Sequence, residues 1–253
     1  MLSDEEALAK VQSHRWFHAY ELLPGIVTPG AHKTLPREWL TSVWGLDEDL
    51  SGKTALDIGA LDGPYSFEME RRGAQVTSVD IQSPNVTGYN IAKEVLGSRA
   101  EYIQGNVYDL AELLKGRTFD VITYFGVWYH LKHPVRALEQ IHRVLKPDGL
   151  LLLEGELLHH YAEAPGYTPE QLKEQARELA ESPLPVCLFY GEGVRGDKTS
   201  WVVPNVACIR QWLAAAALEL ESYNTWTTWP NQRFRGRARK ARGRTVLIDN
   251  PVW

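Results

Sequence analysis

The stretch TALDIGALDGPYSFEMERRGAQVTSVDI, from Thr54 to Ile81, decides the fold. Two apolar runs flank a turn that contains Gly59 and Gly63, and each run ends at an aspartate, Asp57 or Asp80. Glycine lets the backbone approach a ligand closely and adopt a positive φ. We therefore expect a ligand to lie against this turn, with a carboxylate gripping part of it.

On both sides of the turn, short strand patterns alternate with helical ones. The predicted strands are Thr54–Ile58, Gln75–Asp80, Ala100–Gln104, Phe119–Tyr124 and Leu150–Leu153. The predicted helices between them are Tyr65–Arg72, Tyr89–Leu96, Leu110–Lys115 and Pro134–Leu145. This order predicts an α/β fold, a Rossmann-like, doubly wound and mostly parallel sheet with right-handed crossovers.

The segments around this alternation read differently. Residues 1–50 are predicted to be an N-terminal helical leader or cap, with a first helix over Asp4–Tyr20. Residues 51–253 are predicted to form the main domain. The regular pattern fails at about 159–205, which we interpret as a lid insertion over the site, with a helix at Pro169–Glu181.

The end of the chain returns to regular structure. A final helix is predicted over Cys208–Ala217, followed by strands at Leu218–Thr227 and Thr245–Asp249. The basic stretch NQRFRGRARKARGR would join these two strands. Because no helix separates them, they are expected to form an antiparallel pair at the sheet edge.

Composition excludes several classes. The chain has 253 residues, 44% of them hydrophobic, and a net charge of −5, so it has no bulk attraction for nucleic acid or acidic membranes. Cys187 and Cys208 stand in no metal-like pattern, which predicts no metal site and a reduced, cytoplasmic location. The opening MLSDEEALAK does not read as a signal peptide. The longest apolar run contains Glu154 and Glu156 and is too short for a membrane span.

The sequence of the turn limits the classes of ligand that it can bind. It reads G-x-x-x-G rather than G-x-G-x-x-G, no G-K-[ST] follows, and Asp62 would repel a pyrophosphate. An acidic turn instead suits a ligand with a cationic amino acid part. A carboxylate at the end of the second strand, Asp80, can accept both hydroxyls of a ribose.

The turn and the α/β order resemble class I S-adenosylmethionine-dependent methyltransferases, from Thr54 to about Leu153. The resemblance implies that Gly59 and Gly63 make room for the methionine part, that Asp57 steers the turn and the ammonium, and that Asp80 binds the ribose. It assigns to the cofactor Asp57, Gly59, Gly63, Asp80, Ile81, Asn106, Val107, Phe125 and Gly126. One departure is Asn106, because the family often has Asp at this adenine-contacting position.

A second resemblance narrows the family. FGVWYHLKHP, from Phe125, and TTWPNQR, from Thr227, resemble elements of the tRNA wobble-uridine methoxy- and carboxymethyl-transferases and their relatives. WFHAYELLPGIVTPG resembles the leader of small relatives, in which it caps the cofactor pocket. Tyr129 and Arg233 match two of the three residues that hold a carboxylated cofactor, but Lys33 is a poor match for the third. We therefore expect plain S-adenosyl-L-methionine, with carboxy-S-adenosyl-L-methionine as the alternative.

Catalysis can rest on positioning, but a hydroxyl acceptor needs a base. His130, after the fourth strand, is the first candidate, with Tyr129 beside it. Alternatively, His130 only holds its loop by hydrogen bonds. The candidate substrate-binding residues are Trp128, Glu156, His159, Tyr190, Trp201, Asn205 and Arg233.

The aromatic insertion predicts a pocket for a small, partly apolar acceptor, methylated on oxygen or nitrogen as in specialised metabolism. The alternative acceptor is RNA, because Arg233–Arg244 contains seven basic residues that could neutralise phosphates. A second alternative is a non-catalytic methyltransferase-like binding module, and the oligomeric state stays open.

Overall fold

The computed structural model describes residues 2–34, 37–228 and 231–246. Its helices are α1 Asp4–Gln12, α2 Arg37–Ser42, α3 Pro64–Arg71, α4 Tyr89–Leu96, α5 Leu110–Leu113, α6 Pro134–Val144, α7 Lys173–Glu181 and α8 Val206–Ala215. Its strands are β1 His18–Ala19, β2 Glu21–Leu23, β3 Ile26–Val27, β4 His32–Lys33, β5 Thr54–Ile58, β6 Gln75–Asp80, β7 Glu101–Gln104, β8 Phe119–Phe125, β9 Leu145–Leu157, β10 Cys187–Phe189, β11 Val202–Pro204, β12 Leu218–Thr228 and β13 Asn231–Lys240. Short 3₁₀ helices cover Val107–Asp109 and Trp128–His130.

Seven strands form one sheet in the order β12-β13-β9-β8-β5-β6-β7. β6 pairs in parallel with both β5 and β7, as expected for strands joined by helical crossovers. β13 is antiparallel to both β9 and β12. The predicted fold class, a Rossmann-like sheet with an antiparallel edge pair, is therefore confirmed.

The chain divides into two compact units, Met1–Thr123 and Tyr124–Trp253. In the first, the fully buried side chains include Leu56, Ile58 and Met69. In the second, they include Tyr124 and Phe234. Each unit thus has an apolar interior of its own, and the predicted boundary at residue 50 stays a prediction.

The leader is less helical than predicted. α1 begins with a capping box, in which Ser3 and Glu6 bond each other's backbone N–H, but it ends at Gln12 rather than Tyr20. The indole N–H of Trp16 donates to the Val11 carbonyl at 2.7 Å, and its ring is buried. The residues after this buried ring form short strands, β1 paired with β4 and β2 paired with β3.

The last strand of the sheet lies earlier in the sequence than the predicted strand Thr245–Asp249. The basic stretch forms β13 instead of a loop, and residues 245 and 246 lie in no strand, while 247–249 fall outside the described residues. Arginines alternate with Phe234, Gly236 and Ala238, so one face of the strand is small or apolar. Phe234 and Ala238 are fully buried, which explains why so basic a segment joins the sheet.

The insertion has a small core of its own. Leu158, Ala162, Ala176, Val194 and Val203 pack together around α7 and its loops. β10 and β11 pair with each other in a separate antiparallel sheet, so the insertion is built apart from the seven-stranded one. Among the described residues, no helix combines the length and apolar character needed to cross a bilayer.

Candidate functional site

The glycine turn after β5 needs its glycines. Gly59 and Gly63 have φ values of +75° and +87°, which side-chain-bearing residues rarely adopt. A Cβ on Gly63 would lie 2.5 Å from the Phe67 ring and 2.8 Å from the Tyr89 ring. The turn is therefore packed from behind and brings bare backbone to the carboxyl ends of the strands, where open α/β sheets bind their ligands.

Asp57 lies inside the first unit. Its carboxylate, 2% exposed as a residue, accepts hydrogen bonds from the Ser66 hydroxyl at 2.6 Å and the Thr123 hydroxyl at 2.7 Å. Burial raises the pKa of Asp57, and these two hydrogen bonds lower it in part. These bonds fix the Asp57 side chain to α3 and β8, and both its steering of the turn and its contact with a cofactor ammonium stay predictions.

Asp80 ends β6 and holds the turn as well. One carboxylate oxygen accepts from the Leu61 N–H at 2.9 Å and the other from the Gln82 N–H at 2.8 Å. Leu61 itself has a φ of +51°, a strained value for a residue with a Cβ. Burial raises the pKa of Asp80, while the backbone hydrogen bonds oppose the shift. The next side chain, Ile81, is 66% exposed, as an apolar side chain beside a ligand site can be.

The residues predicted to contact adenine follow the end of β7. Asn106 begins the 3₁₀ helix Val107–Asp109, and its side-chain oxygen accepts from the Tyr108 N–H at 3.0 Å. Val107 is buried. The N–H of Gly105 donates to the Asp80 carbonyl at 2.8 Å, so this loop is tied to the end of β6. The first unit therefore gathers the turn, Asp80 and Asn106 at the same sheet edge.

The sequence interpretation missed what holds Asp62. Its buried carboxylate accepts from the backbone N–H groups of Phe17 and His18, at 3.2 and 2.8 Å, and contacts Nδ1 of His18. The Tyr20 hydroxyl donates to its carbonyl at 2.6 Å. The leader therefore supplies the hydrogen-bond partners of the Asp62 carboxylate, and the acidic character of the turn toward a ligand stays a prediction. The WFHAY motif was the available signal.

In the second unit, charged side chains form a group that we call the Arg–Glu cluster, which consists of Tyr129, Glu154, Glu156, Arg195 and Arg233. Arg233 makes a bidentate ion pair with Glu154, at 2.7 and 2.8 Å, and its guanidinium lies 5.2 Å from the centre of the Tyr129 ring. The guanidinium of Arg195 pairs with Glu156. The two arginines and two glutamates of the cluster therefore carry equal and opposite charge.

The pKa values in this cluster follow from burial and proximity. Burial alone would lower the pKa of Arg233, but the charge of Glu154 and its hydrogen bonds outweigh burial, so this pKa lies above its usual value. Burial lowers the pKa of Arg195, and the positive charge of Arg233 lowers it further. The two guanidinium groups therefore lie close enough to repel each other, while the negative charge of Asp197 raises the pKa of Arg195 in part.

His130 lies at the end of a 3₁₀ turn, and its ring is exposed. Nδ1 lies 3.0 Å from the Thr199 carbonyl and 3.1 Å from the Thr199 hydroxyl, in the insertion. The backbone carbonyl of Tyr129 accepts from the Trp201 N–H at 2.6 Å. This geometry matches the alternative in which His130 holds its loop, and a role as a base stays a prediction.

Two predicted substrate residues are interior packing residues instead. Trp128 is 3% exposed, lies against Gly155 and donates from its indole N–H to the Glu156 carbonyl at 3.0 Å. Asn205 is fully buried and caps α8, with its oxygen accepting from Cys208 and its amide donating to the carbonyls of Leu179 and Leu184. Its polar atoms are committed to backbone, which corrects the prediction.

The other predicted residues are spread over the second unit. Tyr190 packs on the insertion core and accepts from the Glu163 N–H, while Trp201 lies under Lys132, whose Nζ is 4.1 Å from its ring centre. Nδ1 of His159 lies 2.5 Å from that of His160, and burial, then the charge of His160, lowers the pKa of His159. Phe125, which is buried, ends β8.

Gly126 follows β8 with a φ of +72° and donates its N–H to the Glu154 carbonyl at 2.9 Å. This bond fixes the start of the loop that carries Tyr129 against the strand that carries Glu154. The predicted use of the Phe125 or Gly126 carbonyl by the cofactor stays a prediction.

Comparisons with known proteins agree with this geometry. Residues 56–153 match the family described as "Methyltransferase domain". The ubiquinone biosynthesis O-methyltransferase of Pseudomonas paraeruginosa is 33% identical over 104 residues, which is 41% of this chain and 44% of that protein. The cypemycin N-terminal methyltransferase of a Streptomyces species is 31% identical over 140 residues, 54% of this chain and 52% of that one. The chain thus spans about half the length of these relatives.

Solved structures extend the likeness beyond that segment. The N-terminal domain of EvdMO1, crystallised with S-adenosylhomocysteine bound, aligns over 96% of this chain and 98% of its own, with a TM-score of 0.62 and 18% identity. Residues 56–153 therefore match a methyltransferase domain, and the fold is that of a class I S-adenosylmethionine-dependent methyltransferase. The class predicted from the sequence is confirmed, whereas its narrower likeness to the tRNA wobble-uridine enzymes stays a prediction.

Proposed function

We propose that the protein is an S-adenosylmethionine-dependent methyltransferase that methylates an oxygen or nitrogen of a small molecule. The observation that carries this proposal is the edge of the first unit, where the glycine turn, Asp80 and Asn106 meet. The relatives support it by their names, since ubiquinone biosynthesis O-methyltransferase acts on oxygen and cypemycin N-terminal methyltransferase on an N-terminus. The bound S-adenosylhomocysteine in the EvdMO1 domain supports the cofactor.

The residues at this edge fit S-adenosylmethionine, which supplies a methyl group on a sulfonium. The Asp80 carboxylate uses backbone N–H groups for two hydrogen bonds and keeps lone pairs for ribose hydroxyls. The exposed Ile81 side chain offers an apolar surface to a base, and Asn106 offers an amide. Asp57 and Asp80 receive their hydrogen bonds from uncharged donors, so the edge stays acidic and suits a cationic ligand.

Plain methyl transfer is favoured over carboxymethyl transfer by the partner of Arg233. A carboxylated cofactor needs cationic donors that are free to bind its extra carboxylate. Arg233 spends two N–H groups on Glu154, and this ion pair leaves its charge compensated. We therefore propose S-adenosyl-L-methionine itself as the cofactor.

The Arg–Glu cluster is our candidate for acceptor recognition. Its charges cancel, so it suits an uncharged acceptor whose hydroxyl groups can both donate to carboxylates and accept from guanidinium groups. A nucleic acid would instead need uncompensated cations. On β13, Arg237 and Arg239 both pair with Glu221, at 3.6 and 2.7 Å, which weakens the case for RNA. If the acceptor atom is a hydroxyl oxygen, His130 remains the proposed base.

Two measurements on the full chain test the proposal. Calorimetric titration with S-adenosylhomocysteine should show one-site binding, and absence of heat and of any thermal shift would contradict the cofactor assignment. Transfer of a labelled methyl group should then be assayed with panels of hydroxyl- and amine-bearing small molecules and with bulk tRNA. Labelling of tRNA alone would favour RNA, and cofactor binding with no transfer to any acceptor would favour the non-catalytic module.

A cytoplasmic location is part of the proposal. Cys187 and Cys208 are both free thiols, which accords with a reducing compartment.

A further inference from the structure

Asp62 is the buried tip of the glycine turn, and its partners come from far away in the sequence. The residue is fully buried, and a buried carboxylate is costly unless hydrogen bonds satisfy it. Two backbone N–H groups and one imidazole nitrogen reach it, and all three belong to Phe17 and His18 in the leader. The stability of the turn in this conformation therefore depends on the leader.

The leader segment that reaches Asp62 is itself held firmly. The His18 carbonyl accepts from the Thr28 hydroxyl at 2.7 Å, and His18 pairs with His32 in the parallel β1–β4 ladder. Gly30 passes so close that a Cβ there would lie 2.2 Å from the His18 carbonyl carbon. The His18 ring is thus presented by a rigid backbone, as a positioning group must be.

The consequence of this contact reaches the ribose candidate. Asp62 follows Leu61, whose strained backbone donates its N–H to Asp80. A strained residue persists only when its surroundings over-determine it. Fixing Asp62 on one side and Asp80 on the other fixes the peptide between them. The leader is therefore connected to Asp80 through one residue of the turn.

We propose that His18 is a positioning residue that clamps the glycine turn through Asp62 and thereby sets the affinity for the cofactor. His18 acts through Asp62 and the turn, and the proposal does not require it to touch the cofactor. The inference rests on the proposed function for its effect on S-adenosylmethionine. Its structural part, the clamp on the turn, can be measured without any ligand.

The test compares three variants of the full chain. His18→Phe removes the ring nitrogen that contacts Asp62, His18→Asn keeps a donor near the position of Nδ1, and His32→Phe is the matched control. His32 lies on the paired strand and stacks on Phe17 with ring centres 4.3 Å apart, a contact that phenylalanine preserves. Circular dichroism and thermal unfolding confirm that each variant is folded.

Without ligand, amide exchange of the peptide covering Gly59–Gly63 should be at least tenfold faster in His18→Phe than in the wild type or His32→Phe. With ligand, the dissociation constant for S-adenosylhomocysteine should rise at least tenfold in His18→Phe and less than threefold in His18→Asn. Wild-type exchange and affinity in His18→Phe would overturn the clamp. A wild-type chain that binds no S-adenosylhomocysteine, with faster exchange in His18→Phe, would overturn the proposed function and leave the clamp standing.

Discussion

The two units bury carboxylates in opposite ways. In the first unit, Asp57 and Asp80 are bonded by hydroxyls and backbone N–H groups, and burial raises the pKa of both. In the second, Glu154 and Glu156 each pair with an arginine. Neutral donors leave a carboxylate its charge, while a guanidinium cancels it. For this reason we propose the acidic edge of the first unit as the site of a cationic cofactor, and the charge-balanced Arg–Glu cluster of the second unit as the site of an uncharged acceptor.

This difference also predicts how much stability each unit loses when a buried carboxylate is replaced by an amide. A carboxylate held by hydroxyls loses little when it becomes an amide, because a hydroxyl can rotate and its neighbour carries no charge. A carboxylate that balances a partly buried arginine cannot be neutralised so cheaply, since the arginine charge remains. A carboxylate-to-amide substitution made once in each unit therefore tests this comparison.

The largest expected effect comes from that matched pair of changes. Glu154→Gln should lower the free energy of unfolding by about 3 kcal/mol, because it leaves Arg233 uncompensated, whereas Asp57→Asn should cost about 1 kcal/mol. Urea denaturation of both variants measures this, with Glu154→Leu combined with Arg233→Met expected to recover most of the loss. Equal costs in the two units would refute the comparison.

A second prediction concerns ligand affinity. Asp80→Ala should weaken S-adenosylhomocysteine binding about 100-fold, which is the cost of losing charge-assisted hydrogen bonds to the ribose. Calorimetry measures it, and circular dichroism checks the fold. Arg239→Ala, in the second unit, serves as the control and should bind like the wild type. An Asp80→Ala affinity within threefold of wild type would remove the ribose assignment.

The third prediction tests whether the buried polar side chain of Asn205, in the second unit, stabilises the fold rather than binding an acceptor. Asn205→Ala should cost about 2 kcal/mol of stability, because α8 loses its N-cap and buried carbonyls lose their donor. Chemical denaturation measures the loss. Acceptor turnover at a temperature where the variant stays folded should be unchanged, and a selective rise in acceptor KM would restore the original prediction.

The raised pKa of Asp80 predicts a pH dependence. Protons compete with the cofactor for this carboxylate, so affinity should fall on acidification by about tenfold per pH unit below its pKa. Because burial raises that pKa above 3.8, the loss should begin at a higher pH than for an ordinary aspartate. Calorimetry across the acidic range tests this, and Asp80→Asn should give a flatter profile. Identical profiles would assign the titration to another group.

The smallest effect is expected at the exposed edge of the second unit. Arg239 and Glu221 are both more than a third exposed, so solvent screens their ion pair. Arg239→Ala should change the free energy of unfolding by less than about 0.5 kcal/mol. Urea denaturation measures it, and a loss above 1 kcal/mol would show that this pair resembles Glu154–Arg233 rather than a solvated contact.

The strands and helices around the glycine turn could be predicted because local pattern and burial agree there. β5, β6 and α4 have the predicted bounds, and α3 differs by one residue at each end. At β13 the predicted element order has only a connection between two strands, although the arginines alternate as on one face of an exposed strand. The residues on the other face, Phe234 and Ala238, are buried, and this burial depends on contacts with the rest of the sheet.

What the sequence could not supply were contacts between distant residues. Asp62 meets His18 across 44 positions, and Arg233 meets Glu154 across 79. Such pairs leave no periodic pattern in the sequence. Only the folded chain therefore shows which groups bond to Asp62 and that Glu154 compensates the charge of Arg233. Asn205 is a predicted substrate-binding residue, whereas its buried side chain caps α8 in the structure.

The most direct test of the central claim is a crystal structure of the full chain with S-adenosylhomocysteine. Our account predicts that the ribose hydroxyls bond to the Asp80 carboxylate and that the homocysteine part lies against Gly59 and Gly63. A ribose bound away from Asp80, with protein side chains filling the space over the turn, would contradict it.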